Sequence, residues 1–176
     1  MFCIRQCLRD LFIWLALNKT YRVHWTLEIQ AEWTRNLLHN RPDISITALE
    51  RTQNLMNKAL PDALLETIPA LNILLPDPKD THVLAAAIYV NATHIVTKNL
   101  RDFPSSSLEE FGIIALSPDD FVMCLIENTP ELVVRAITMQ LANLKRPALS
   151  LEALLLELGA QGLTQVVRWL RQYSEL

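Results

Sequence analysis

The stretch Leu75–Pro104, LPDPKDTHVLAAAIYVNATHIVTKNLRDFP, decides the reading of this chain. Asp77 and Asp80 open an alanine-rich segment with helical character, expected over residues 81–90. A short β-branched strand is expected at residues 94–97, and Asn99 and Asp102 follow it in a polar loop. A helix that starts close behind one strand and feeds the next parallel strand brings its own first turn to the carboxyl edge of the sheet. The loop after the second strand lies on that same edge, where open α/β sheets bind ligands. Oxygen-bearing side chains meeting there are the donors that a hard divalent cation takes. Each residue alone has a plainer reading: Asp80 as a helix N-cap, Asp77 as a turn residue before Pro78, Asn99 and Asp102 as loop residues. Two polar clusters bracketing one helix–strand unit carry more weight than any of them singly.

Working outward, residues 8–18 show helical periodicity, with Leu8, Leu11, Phe12 and Leu15 on one face. Residues 21–25 alternate and include Tyr21, Val23 and Trp25, which predicts a strand. Thr26 is placed to cap a helix over residues 27–39, with Ile29, Trp33 and Leu37 on its apolar face. Arg41-Pro42-Asp43 breaks that helix, and Thr47-Ala-Leu-Glu50 has the form of a capping box opening a helix over residues 48–59. Residues 63–67 and 112–116 read as further strands. Ser117-Pro118 and Thr129-Pro130 both place proline at a first helical position. Helices are expected at residues 119–127, 130–144, 151–158 and 164–172, with breaks at Arg146-Pro147 and Gly159–Gly162. Strands alternating with helices and then giving way to helices alone predict an α/β fold. The expectation is a parallel sheet flanked by helices over residues 1–120, with a helical C-terminal extension over 121–176.

Composition narrows the function classes. A hydrophobic fraction of 51% with only 3 Gly supplies a core and favours helix over a turn-rich β fold. With a net charge of −3, any contact with nucleic acid must come from a local basic patch. Three cysteines make no even disulfide framework, and Cys3-x-x-x-Cys7 reads as helix packing. The four histidines and three cysteines have no zinc spacing, and neither a glycine-rich phosphate loop nor a Gly-x-Ser-x-Gly elbow is present. Arg5 and Arg9 precede the apolar run 11–17, but Asp10 interrupts it and no small-residue cleavage site follows. The run is too short to span a bilayer, so it reads as a buried amphipathic helix, and the expectation is a soluble, cytoplasmic protein.

Glu28 and Glu32 lie four apart on the helix that follows the strand at residues 21–25. They read either as a solvated face, with Glu32 pairing to Arg35, or as acids at the carboxyl edge. A resemblance bears on the choice. Asp80-Thr-His-Val83-Leu84-Ala85-Ala86-Ala87, followed by Ile95-Val96-Thr97-Lys98-Asn99-Leu100-Arg101-Asp102-Phe103, resembles the PIN-domain nucleases. The likeness is to the bacterial branch related to toxin–antitoxin ribonucleases. Thr26-Leu-Glu-Ile-Gln-Ala-Glu32 is similar to the family's spacing at its second acidic position, which favours Glu32 over Glu28.

The resemblance implies an α/β fold whose clustered acids bind Mg²⁺ or Mn²⁺ and hydrolyse RNA phosphodiesters. Glu32, Asp80 and Asp102 would hold metal. Asn99, standing where many relatives have Asp, would offer a neutral oxygen or orient a neighbour. Thr97 would hydrogen-bond a carboxylate or a phosphate, and Arg35, Lys98 and Arg101 would contact phosphates. His82 reads either as facing the substrate or as an ordinary surface histidine. The implied partners are RNA, an antitoxin-like protein and a second copy in a homodimer, with no membrane. Family members begin with a hydrophobic strand ending in an Asp that binds metal. Here Met1–Cys7 carries no Asp and the first acid is Asp10, so the sequence reads as starting just after that motif. The expectation that follows is a sheet without its central strand and a weaker metal site. The alternative function is a catalytically impaired module, truncated at its front, that binds a protein partner or RNA without cleaving it.

Overall fold

The helix and strand expected within residues 75–104 are both present in the computed structural model, which describes residues 6–69, 71, 75–144 and 149–173. Strand β3 (His94–Val96) pairs in parallel with β4 (Ile114–Leu116), with Ile95 opposite Ala115. Strand β1 (Trp25–Thr26) pairs in parallel with β2 (Leu64–Leu65). The fold is thus α/β, PIN-like in its parallel strands and flanking helices, with a helical C-terminal region.

The chain divides into two units. The sheet unit comprises residues 23–117 of the described chain, including helices α2 (Leu27–Asn40), α3 (Ile46–Ala59), α4 (Thr81–Tyr89) and α5 (Ser105–Leu108). Its core is Leu75, Leu84, Ala87, Ile95, Phe103, Leu108 and Ile113. Asn91 stops α4 in the left-handed conformation at φ 51°. Ala92 N donates to Ala87 O at 2.8 Å and Asn91 N to Ile88 O at 3.0 Å, so the last carbonyls are satisfied as the chain reverses into β3.

The helical unit comprises residues 6–22 and 118–173 of the described chain. It contains α1 (Gln6–Leu17), α6 (Pro118–Asn128), α7 (Pro130–Asn143), α8 (Leu151–Ala160) and α9 (Thr164–Gln172). The first helix, expected with the sheet domain, packs here, chiefly against α7. Leu8, Leu11 and Leu15 are fully buried with Ile137, Leu154, Leu158 and Leu170, each such side chain favouring the fold by ~1.5–3 kcal/mol. Their spacing of three and four residues on α1 produces this, since it aligns them on one face.

Two expectations need correction. The strand expected at residues 21–25 is shorter and starts at Trp25. Tyr21 instead joins Phe12 and Phe121 in an aromatic cluster, and its hydroxyl donates to Phe12 O at 3.0 Å. Alternation alone cannot distinguish strand pairing from aromatic packing. Helix α3 starts at Ile46, with Ser45 Oγ accepting from Ala48 N at 3.2 Å, so Ser45 and not Thr47 is the cap. Within the polar loop after β3, Leu100–Asp102 forms a 3-10 turn, as does Pro78–Asp80 before α4. Cys7 and Cys124 are free thiols. Met1–Arg5, and with it Cys3, and the break at Arg146-Pro147 lie outside the described residues. No described helix is long and apolar enough to cross a membrane.

Candidate active site

The two aspartates that open α4 have different fates. Asp77 Oδ1 accepts from Lys79 N at 2.9 Å, the plain turn reading, and this fixes the 3-10 turn at Pro78–Asp80. Asp80 occupies the N-cap position of α4, yet its side chain makes no capping hydrogen bond. It faces Asp102 instead. Burial, the hydrogen bond between the two carboxyls, the negative charge of Asp102 and that of Glu32 together raise the Asp80 carboxyl above its ordinary pKa. Two carboxyls can share a hydrogen bond only when one of them keeps a proton, and gathered negative charge favours keeping it.

Asp102 is held from the other side. Asn99 Nδ2 donates to Asp102 Oδ2, and Asp102 N donates to Asn99 O at 3.3 Å across the 3-10 turn. The amide at position 99 therefore orients a neighbour. Asn99 N in turn donates to Thr97 Oγ1 at 3.0 Å, while Thr97 N continues the strand ladder to Leu116 O at 2.9 Å. Thr97 is only 1% exposed, which puts it behind the loop, shaping it, and away from the surface a phosphate would reach.

Glu32 comes from the second turn of α2, which Thr26 caps through Ile29 N at 3.1 Å. Helix α2 packs against α4, and Glu32 Oε2 lies 3.6 Å from His82 Nε2. Glu28 is exposed on the same helix, while Glu32 is half-buried. Arg35, Lys98 and Arg101 are exposed, the last two flanking the Asn99 and Asp102 loop in sequence.

Two features go beyond the sequence reading. His82 is no surface histidine, being 12% exposed at its side chain. The second is a polar seam between α2 and α3. Asn57 Oδ1 accepts from Trp25 Nε1 at 2.9 Å and from buried Gln30 Nε2 at 2.8 Å. Gln53 Nε2 donates to Thr34 Oγ1 at 2.7 Å and to Gln30 O at 3.1 Å. This seam fixes the helix that carries Glu32, and its only trace in the sequence is a glutamine on the inward face of an amphipathic helix.

The donors suit a hard divalent cation. Carboxylate and amide oxygens are its preferred ligands, the negative charges of Asp102 and Glu32 bear on Asp80, and the buried His82 Nε2 has no hydrogen-bond partner. As the side chains stand, no three His, Cys, Asp or Glu among the described residues form a ready cage.

The comparisons with known proteins cover both units of the chain. The PIN domain family matches residues 6–101, and the VapC50 C-terminal domain family matches residues 118–172. Over 83 residues, 47% of this chain, the sequence is 39% identical to "Putative ribonuclease VapC50" of Mycobacterium tuberculosis. The match spans about half of that relative, 49% of its length. No solved structure matches.

Proposed function

Because this chain belongs to the PIN domain family, we propose that it is a divalent-metal-dependent endoribonuclease, the toxin of a toxin–antitoxin pair. The observation that carries the proposal is the Asp80 carboxyl turned away from its helix and toward Asp102 and Glu32. The likeness to a relative described as a ribonuclease supports RNA as the substrate. On this reading an antitoxin-like protein and a second copy of the chain would be its partners, in a cytoplasmic setting.

Asp80, Asp102 and Glu32 would hold Mg²⁺ or Mn²⁺. Such an ion, when bound, neutralises charge developing on a phosphate and acidifies a water. Asn99 keeps the Asp102 carboxylate oriented through its amide, and Thr97 keeps Asn99 in register with the sheet edge. The exposed cations Arg35, Lys98 and Arg101 would draw the phosphate backbone toward the acids, supplying locally the attraction that a net charge of −3 does not.

The test is cleavage of RNA by the purified chain with and without EDTA, and by Asp80→Asn. Metal charge stabilisation is worth several kcal/mol, so cleavage should fall about 10²-fold or more in both cases. Cleavage that survives both treatments sinks the site. RNA or protein binding by the wild type with no cleavage would make the chain a binding module instead.

A further inference from the structure

His82, the second residue of α4, is aimed from behind by its own backbone. Its Nδ1 lies 2.7 Å from Lys79 O. A carbonyl oxygen only accepts, so Nδ1 carries the hydrogen, and in the neutral ring the free lone pair is on Nε2. Lys79 is itself fixed, because Asp77 accepts its N–H and Pro78 restricts the turn. The result is an imidazole whose tautomer and direction are set before any ligand arrives. Metal-bound histidines are oriented in this way, the second ring nitrogen donating to a carbonyl or carboxylate.

The other end of the ring has no such partner. Nε2 is sealed from solvent, makes no hydrogen bond, and lies 3.6 Å from Glu32 Oε2. A nitrogen lone pair and a carboxylate oxygen facing each other repel unless a positive charge serves both.

We propose that His82 Nε2 is a nitrogen ligand of the divalent ion at this centre, sharing it with Glu32. The inference rests on the metal-dependent reading above. It adds a chemical preference: an imidazole in the ligand set favours Mn²⁺ over Mg²⁺, which is bound by oxygen and gives up water reluctantly.

The experiment is pulsed electron paramagnetic resonance on the full chain loaded with Mn²⁺. A ¹⁴N coupling of directly bound imidazole is expected in the wild type and in a variant with His24, His39 and His94 all changed to Gln. It is expected to vanish in His82→Gln, with Mn²⁺ affinity lower by about 10-fold or more and the circular dichroism spectrum unchanged. Bound Mn²⁺ without nitrogen coupling overturns the inference and leaves the ribonuclease reading standing, His82 then pairing with Glu32 as an imidazolium. Coupling that persists in His82→Gln, or is lost in the triple variant, also overturns it. Absence of Mn²⁺ binding in the wild type, together with absence of cleavage, overturns the inference and the function together. If His82→Gln fails to fold, the wild type and the triple variant still decide.

Discussion

Asp119 in the helical unit and Asp80 in the sheet unit both stand at the start of a helix, and their surroundings are opposite. Asp119 is 7% exposed, and every oxygen is used. Its Oδ2 accepts from Gln165 N at 2.9 Å and Thr164 Oγ1 at 3.2 Å, and its Oδ1 accepts from Val166 N at 3.1 Å. It caps α9, a helix whose own N-cap residue, Leu163, offers no side-chain acceptor. Asp80 has no backbone donor and looks onto a second carboxyl. A buried acid surrounded by N–H groups is part of the scaffold, whereas one surrounded by other acids is available for a ligand. Within the sheet unit, Asp77 and Asp80 repeat the contrast three residues apart.

Substitution should separate the two kinds of acid, and the largest effect belongs to Asp119. Asp119→Ala removes an acceptor shared by three donors and leaves the first turn of α9 unsatisfied. A cap loss of ~1–2 kcal/mol, with charge-assisted bonds lost besides, should destabilise the chain by about 2–3 kcal/mol in a urea titration. An unchanged midpoint would erase the distinction drawn between the two aspartates.

A smaller effect is expected from the α3 cap, where two hydroxyls compete in the sequence and one acts in the fold. Ser45→Ala should cost ~1 kcal/mol, and Thr47→Ala, whose side chain is exposed and outside the cap, should stay within about 0.5 kcal/mol of wild type. Equal costs would mean that the helix starts where the sequence suggested.

The smallest effect has the opposite sign. Asp80 has its pKa raised in the folded protein, so it favours folding while protonated. That contribution is complete below the ordinary carboxylate value of 3.8 and disappears as pH rises through the raised value. Asp80→Asn should therefore leave the metal-free melting temperature unchanged at acid pH. Near neutral pH it should raise it by about 1–2 °C, modest because the site is partly solvated. A lower melting temperature at neutral pH would mean that Asp80 is a scaffold acid like Asp119. Saturating Mn²⁺ should reverse the order, stabilising wild type over Asp80→Asn.

Helix periodicity, proline at first helical positions and β-branched runs were enough to locate α1, α4, α6, α7, α8 and α9 and the β3–β4 pair. These signals are local: they depend on residues within a turn or two of each other. The residues of the candidate site stand out for a similar reason, because Asp80, Asn99 and Asp102 bracket one helix–strand unit and keep short, fixed offsets.

Tertiary structure alone decided what needs distant partners. Residues 21–25 alternate like a strand, but Phe12 and Phe121 draw Tyr21 into a cluster no local pattern encodes. The first helix packs with residues more than a hundred positions away, since its leucine face joins Val133, Ala136 and Ile137 of α7 in one core. Asp77, Asp80 and Asp119 are the same residue type in similar sequence settings. Only the groups arranged around each carboxylate in space make two of them structural and leave the third facing another acid. Sequence fixes which chemical groups are available and their local spacing; folding decides which of them are satisfied and which are left to meet a ligand.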